Sequence, residues 1–259
     1  MTEKTVSFKI ETKELIAICK VLGKYQSDIL MTADITGLSC IQVENTNVSL
    51  IDMFIPGENL RDYFCKEIEK EGNIEPIKFV LPCLALSKGF LATSEGIISV
   101  VITDENIISF STENNTAEYV GDINTVRKNA RYSYDEMYSY SLVKSMNFKE
   151  FLEFKKLTDT IKKVDKRLQV VSFEHNLYLN TCSDNANKLS FKSEGIYSDK
   201  KQTCLYSTKY LKEITDSIKL LKPEKVEIKL MQDRPLVISC NVGSYQNFRF
   251  VLAPIIDHD

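Results

Sequence analysis

Residues that could perform catalysis or bind a metal are sparse and scattered in this sequence. The two histidines, His175 and His258, lie far apart, and none of the seven cysteines forms a C-x-x-C pair. Structural zinc sites need such paired ligands at short spacing. No Ser-His-Asp triad and no glycine-rich phosphate loop is recognisable either. The sequence therefore predicts no enzyme, no metal site and no cofactor, and it predicts small, buried cysteines in a reducing compartment.

Lysine is the residue type whose placement suggests a chemistry. Four segments predicted to be helical (12–24, 82–93, 148–163 and 208–222) together carry a net charge of +7, although the whole chain of 259 residues carries −3. The remainder of the chain therefore carries −10. Clustered ammonium groups without a base-reading motif suit sequence-independent contact with a phosphate backbone. The alternative is that lysine is simply a good helix former on any solvated surface.

Apolar periodicity and capping signals predict where these helices begin and which face they bury. In the first segment, apolar residues recur at i, i+3, i+4 and i+7 and so share one face: Leu15, Ile18, Cys19 and Leu22. Thr12 or Glu11 is predicted to cap its start. In the third segment, Asn147 is followed three residues later by Glu150, which predicts a capping box.

The chain repeats one plan twice. An alternating stretch at 4–10 and the helix after it match, at an offset of 136, a stretch at 138–146 and the helix that follows. At an offset of 128, the hairpin predicted around residues 103–106 matches the one predicted around 231–234. Such self-similarity predicts a duplicated unit with many antiparallel strands and two helices in each half.

The predicted domain boundaries follow from this duplication. We expect an N-terminal domain at 1–125, an interdomain linker at 126–138 and a C-terminal domain at 139–259. The linker "VRKNARYSYDEMY" is polar and tyrosine-rich and has neither helical nor strand periodicity. No apolar run approaches the roughly 20 residues of a membrane span, and the N-terminus alternates instead of forming a signal peptide. These features predict an intracellular protein without a membrane partner.

Two stretches resemble the eukaryotic sliding clamps, the proliferating-cell-nuclear-antigen (PCNA) family. "GLSCIQVENTNVSLIDMFI" is similar to the part of the family that contains "VSL". "TKYLKEITDSIKLLKPEKVEIKLMQDRPLVISCNVGSYQNFRFVLAPI" is similar to the family's closing segment, in which a helix with "YL", a strand, a "PLV" strand and a final "LAP" motif follow in this order. The divergence suggests a viral or protist member, or a paralogue.

The resemblance implies a fold and a function. The fold class would be α+β, with two similar domains of the DNA-clamp (processivity) fold. Antiparallel sheets would lie outside, and two helices per domain would line the inside of a ring. A head-to-tail homotrimer would encircle double-stranded DNA and tether DNA polymerase and other replication and repair proteins as a processivity factor. Further partners would be a clamp loader and client proteins with short hydrophobic or aromatic motifs. The location would be the nucleus, or a cytoplasmic replication site for a viral protein.

The predicted DNA-binding residues are the helical lysines. Two of them, Lys156 and Lys209, fall in register with basic positions of the family. The full set is Lys13, Lys20, Lys24, Lys88, Lys149, Lys155, Lys156, Lys209, Lys212 and Lys219.

The resemblance also implies a partner-peptide pocket and a subunit interface. The pocket would be formed by the "VSL" stretch, the linker, the "PLV" strand and the tail, and it would contain Val43, Val48, Leu50, Val126, Pro235, Val251, Ala253 and Pro254. For the interface, the strand near 117–123 would pair with 187–193 of the neighbouring copy, and it would contain Tyr119, Leu189 and Phe191.

Several alternatives stay open at this point. The chain could be a subunit of a heterotrimeric checkpoint-type clamp, or a viral processivity factor that acts as a monomer or dimer. It could also be a transcription factor built on a clamp-like fold. The alternative from a different class is an α+β enzyme, which the lack of a triad, a metal spacing and a phosphate loop argues against.

Overall fold

A computed structural model gives the fold of the chain. The residues that it describes are 4–70, 73–123, 141–174, 176–182, 190–194, 201–242 and 246–256. The predicted linker at 126–138 and both histidines lie outside these residues. The predicted domain boundaries at 125 and 139 therefore stay predictions.

Alternating and helical sequence patterns become strands and helices, although the helix predicted at 82–93 covers only Cys83–Lys88. The described residues form the strands β1 (Lys4–Glu11), β2 (Ile29–Asp34), β3 (Gly37–Val43), β4 (Ser49–Pro56), β5 (Arg61–Cys65), β6 (Ile68–Lys70), β7 (Asn73–Glu75), β8 (Ile77–Leu81), β9 (Ile97–Thr103), β10 (Ile107–Ser111), β11 (Thr116–Val120), β12 (Ser141–Asn147), β13 (Arg167–Phe173), β14 (Asn176–Thr181), β15 (Ser190–Glu194), β16 (Gln202–Ser207), β17 (Lys225–Leu230), β18 (Leu236–Val242) and β19 (Gln246–Leu252). They also form the helices α1 (Thr12–Leu22), α2 (Cys83–Lys88), α3 (Phe148–Val164) and α4 (Thr208–Leu221).

The chain divides into two compact units. The first comprises Met1–Asn45, Ile51–Ala130 and Ser244–Asn247, and the second comprises Thr46–Leu50, Arg131–Gly243 and Phe248–Asp259. In the first unit, the strands follow the orders β11-β10-β9-β1-β5 and β4-β3-β2-β8. In the second unit, the orders are β19-β18-β17-β12 and β15-β14-β13-β16. Helix α1 packs on α2, and α3 packs on α4. Apart from β5 and the β6–β7 pair of the first unit, the described strands of the two units follow corresponding orders.

Strand register repeats at the offsets seen in the sequence. Ile10 of β1 lies opposite Ile98 of β9. Met146, which follows Ile10 by 136 positions, lies opposite Val226, which follows Ile98 by 128 positions, in the pair of β12 and β17. The hairpin pairs repeat as well, since Phe110 lies opposite Val100, and Ile238 lies opposite Ile228. Because a one-residue slip would turn every side chain to the other face, this agreement confirms that the two units share one plan.

The helices bury the faces that their periodicity predicts. Leu15, Ile18 and Leu22 of α1 are at most 3% exposed, and Phe151 and Phe154 of α3 are at most 5% exposed. All seven cysteines are free thiols; five are buried, and Cys65 and Cys182 are half-buried. Burial raises the pKa of the Cys240 thiol, so it stays protonated and acts as a small apolar side chain.

The two predicted helix starts have different outcomes. The capping box of α3 is confirmed, because Asn147 Oδ1 accepts the Glu150 N–H (3.0 Å) and Glu150 Oε2 accepts the Asn147 N–H (2.8 Å). The predicted side-chain cap of α1 is wrong. Glu11 occupies the cap position without a side-chain hydrogen bond, and the Thr12 hydroxyl donates to the Gly96 carbonyl at 2.8 Å.

A cluster of four charged side chains joins α3 to α4. The Lys155 ammonium lies 2.6 Å from Asp159 Oδ2 and 2.7 Å from Asp216 Oδ1. Lys212 pairs with Asp216 Oδ2 and lies 3.7 Å from Asp159 Oδ1. The Lys155 side chain is only 10% exposed. Two cations and two carboxylates therefore neutralise one another where the helices meet.

This cluster shifts the protonation of its members. Burial opposes the charged form of Asp216, but hydrogen bonds from Lys155 and Lys212 outweigh it and lower the pKa of that carboxyl. Burial also opposes the charged form of Lys155, yet hydrogen bonds with Asp159 and Asp216 raise its pKa. Both shifts favour the ionised pair at neutral pH, so the cluster stabilises the folded state there.

The substitution Asp216→Asn is expected to lower the stability of the protein at pH 7 by about 1 kcal/mol, because a partly exposed charge-assisted hydrogen bond is lost. The pKa of Asp216 is lower in the folded state than in the unfolded state. Its contribution is therefore present at neutral pH and disappears as the pH falls below about 4. Thermal unfolding between pH 7 and pH 3 measures this difference.

The matched control is Glu213→Gln, which removes one exposed carboxylate from the same helix. This variant should unfold like the wild type at every pH. The difference in stability between the wild type and Asp216→Asn should shrink towards pH 3. A difference that stays constant down to pH 3 would show that the lysines do not hold the Asp216 carboxylate.

Candidate nucleic-acid and partner-binding surfaces

Exposed lysines follow the helix pair of the first unit. Lys13 and Lys20 lie on α1 away from its buried face, and Lys88 is the last residue of α2. Lys24 is exposed just beyond the end of α1. Since α1 and α2 pack together, these four ammonium groups belong to one helical layer of the unit.

The helix pair of the second unit carries exposed lysines at related positions. Lys149 and Lys156 are exposed on α3, and they correspond to Lys13 and Lys20 of the first unit at the offset of 136. On α4, Lys209 and Lys219 are exposed. The Lys209 ammonium lies 4.8 Å from the centroid of the Tyr210 ring, within the range of a cation–π contact.

The structure places two of the predicted DNA-binding lysines elsewhere. Lys155 is buried, and Lys155 and Lys212 both pair with Asp159 and Asp216 in the cluster between α3 and α4. Their charge is already neutralised, so contact with a polyanion would require these ion pairs to break. The sequence did contain a signal, because each aspartate follows a lysine at helical i+4 spacing.

The strands predicted to form a subunit interface lie at sheet edges. Strand β11 is the last strand of its sheet in the first unit, and β15 is the last of its strand group in the second. Tyr119 of β11 packs its ring edge-on against Phe110, with ring centroids 5.8 Å apart, and neighbouring Val120 is 81% exposed. Phe191 lies opposite Leu179 in the register of β15. Leu189 lies outside the described residues.

The predicted partner pocket separates into core residues and surface residues. Val43, Leu50 and Val251 are at most 7% exposed and belong to the core of their strands. Val48, Pro235, Ala253 and Pro254 are half-buried and remain accessible to a ligand. Val126 lies outside the described residues.

The tail after β19 is held by alternate backbone hydrogen bonds. The Ala253 N–H donates to the Val48 carbonyl at 2.8 Å, and the Ile255 N–H donates to the Leu205 carbonyl at 2.8 Å. Pro254 between them has no N–H to donate. The tail therefore lies against both the start of β4 and β16, within the second unit.

The turn that carries Pro235 is fixed to β16 by hydrogen bonds. The hydroxyl of Tyr206, a fully buried residue, donates to the Arg234 carbonyl at 3.0 Å. The Thr203 N–H donates to Gln232 Oε1 at 2.7 Å. These bonds satisfy polar groups of β16 and hold the turn beside the strand whose Leu205 carbonyl also receives the tail.

A cavity of about 390 Å³ lies beside the tail in the second unit. It is lined by Gln169, Thr203, Cys204, Leu205, Gln232, Asp233, Pro254, Ile255 and Ile256. Among the predicted pocket residues that the structure describes, only Pro254 lines this cavity. One sequence signal pointed to the rest of the cavity lining. The apolar pair Ile255–Ile256 follows Pro254 and needs a surface to cover it, and both residues are still exposed in part.

Metal-binding clusters and membrane-spanning helices are both absent from the described residues. No group of three or more His, Cys, Asp or Glu side chains that could hold a metal ion occurs in the part of the chain that the structure describes. Across the same residues, every helix is too short or too polar to cross a membrane.

Comparisons with known proteins identify the fold. Neither a protein-family model nor a curated protein matches this sequence. Among solved structures, the chain is similar to A. fulgidus PCNA bound to the C-terminal region of FEN-1, with a TM-score of 0.79, 17% identity and coverage of 98% of this chain and 100% of that one. It is also similar to the proliferating cellular nuclear antigen of Entamoeba histolytica, with a TM-score of 0.76, 17% identity and the same coverage. The chain therefore has the α+β fold of the PCNA sliding clamps, with two similar units of antiparallel sheets and paired helices.

Proposed function

We propose that this protein is a sliding clamp of the PCNA family, without enzymatic activity, which encircles double-stranded DNA and tethers DNA polymerase and other replication and repair proteins. The observation that carries the proposal is the duplicated unit, whose fold matches PCNA over 98% of the chain. A ring holds its cargo on DNA by topology and needs no catalytic group. It would act in the nucleus, or at a cytoplasmic replication site if the protein is viral.

Ring closure would use the two edge strands. An edge strand has backbone groups that another chain can pair with; β11 is an edge strand of the first unit, and β15 is an edge strand of the second. Pairing β11 of one copy with β15 of the next gives a head-to-tail interface, which closes into a ring when the rotation per copy is suitable. We propose a homotrimer, with Tyr119, Leu189 and Phe191 at the interface.

Contact with DNA would come from the exposed helical lysines. These are Lys13, Lys20, Lys24, Lys88, Lys149, Lys156, Lys209 and Lys219. Lys155 and Lys212 are left out because the ion cluster already neutralises them. Phosphate contacts of this kind carry no sequence information and weaken with salt, which permits sliding.

Client proteins would bind at the tail of the second unit. The A. fulgidus PCNA is bound to the C-terminal region of FEN-1. In the present chain, Val48, Pro235, Ala253 and Pro254 are accessible, and the cavity beside Ile255 is partly apolar. We propose that a polymerase, a clamp loader and other clients insert short hydrophobic or aromatic motifs here.

The native mass tests the ring. Light scattering should give about three times the chain mass of 29.6 kDa. The variant Val120→Glu places a charge on the exposed side of β11 and should lower the mass towards that of one chain. Ile35→Glu, at a site that is 58% exposed and outside both edge strands, is the control and should stay trimeric. A monomeric wild type would contradict the homotrimer.

The double variant Lys156→Gln/Lys209→Gln tests the DNA-contacting helices. Each lost phosphate contact removes about 0.9 from the slope of log affinity against log salt concentration. The proposed homotrimer loses six lysines, so the slope for a linear duplex should become shallower by up to about 5. Equilibrium binding over a series of salt concentrations measures this change. Lys78→Gln, on the exposed side of β8, is the control and should bind like the wild type. An equal slope for the double variant and the wild type would show that Lys156 and Lys209 do not contact DNA.

A truncation after Leu252 tests the partner site. It keeps β19 with its buried residues Val251 and Leu252 but removes the hydrogen bonds to Val48 and Leu205. Affinity for a peptide of the FEN-1 C-terminal region should fall on the order of tenfold or more. A chain that ends after Ile256 keeps both hydrogen bonds and should bind normally. Undiminished binding by the shorter chain would place the partner site elsewhere.

A further inference from the structure

The segment Thr46–Val48, just before β4, is held at two points within the second unit. The Val48 carbonyl accepts the Ala253 N–H of the tail at 2.8 Å. Two residues earlier, the Thr46 hydroxyl lies 2.8 Å from the Tyr210 hydroxyl of α4. The same short segment therefore contacts the tail on one side and a helix on the other.

Side-chain burial contributes little to holding Thr46 and Asn47, because both residues are exposed. Asn47 also has a φ of 60°, in the left-handed region that asparagine tolerates better than most residues. A residue with a left-handed backbone conformation keeps it when surrounding contacts hold the chain on either side. The hydrogen bond between Thr46 and Tyr210 is such a contact.

The position of the Tyr210 side chain is restrained by its neighbours. It lies in the first turn of α4, next to the buried residue Leu211, and it is itself half-buried. The ammonium of neighbouring Lys209 lies 4.8 Å from its ring centroid, which restrains the ring further. Its phenol hydroxyl can donate or accept a hydrogen bond.

We propose that Tyr210 is a positioning residue for the client-binding site. Its hydroxyl holds Thr46, and through the turn at Asn47 it orients the Val48 carbonyl that receives the tail. Tyr210 does not itself contact the client. The inference rests on the proposed function, because it assigns a role at the tail where clients are proposed to bind.

A double-mutant cycle tests this role. Tyr210→Phe removes only the hydroxyl and keeps the ring beneath Lys209, and Thr46→Val removes the partner hydroxyl at nearly constant size. Each variant should weaken binding of a FEN-1 C-terminal peptide by about 3- to 10-fold. The double variant should bind no more weakly than either single variant, because all three lose the same hydrogen bond. Thr46→Ser keeps the hydroxyl and should restore affinity.

A second measurement follows the tail without a client. Native-state hydrogen exchange at the Ala253 amide should be several-fold faster in Tyr210→Phe and Thr46→Val than in the wild type. The slope of DNA affinity against salt should not change in Tyr210→Phe, because Lys209 is untouched. Tyr178→Phe removes a hydroxyl from another half-buried tyrosine of the same unit and should alter none of these quantities.

The outcomes separate the inference from the proposed function. A wild-type protein that does not bind the peptide would overturn the proposed client site, and the role of Tyr210 with it. Peptide binding that is normal in both single variants, or costs that add in the double variant, would overturn the inference alone. Unchanged exchange at Ala253 would overturn it as well.

Discussion

Burial of the apolar helix faces is the constraint on which the rest of the structure depends. Leu15 and Ile18 of α1 are buried in one unit, and Phe151 and Phe154 of α3 are buried in the other. Each of these helices therefore presents only its opposite side to solvent. The exposed lysines of these helices occupy that remaining side. The cationic layer of each unit is thus a result of core packing, and the matching strand registers place it equivalently in both units.

The sequence predicted local features well because they depend on periodicity and on nearby residues. The starts and ends of α1, α3 and α4 and both hairpins around 103–106 and 231–234 agree with the structure to within about two residues. The predicted helix at 82–93 ends at Lys88 instead, where Gly89 adopts a non-helical conformation and a short 3₁₀ turn follows. Glycine loses more conformational entropy in a helix than other residues do, so a break there is understandable.

Features that depend on contacts between distant segments were not predictable in this way. In the sequence, Lys155 looks like the exposed lysines of the same helix. Its pairing with Asp216 arises only because α3 packs on α4. In the same way, Val43 and Val251 match a pocket pattern in the sequence but point into the core of their strands. The cavity beside the tail is lined by residues of β13, β16, the turn before β18 and the tail, and no local sequence pattern predicts that these segments meet.

The ion cluster between α3 and α4 also separates two roles of charge. Dissolved ions screen solvent-exposed ammonium groups strongly, whereas they act much less on partly buried pairs. Lys155 is protected from this screening, and Lys156, the next residue of the helix, is fully open to it. Under the proposed function, changes in ionic strength will therefore alter the affinity of the exposed lysines for DNA much more than they alter the ion cluster that joins α3 to α4.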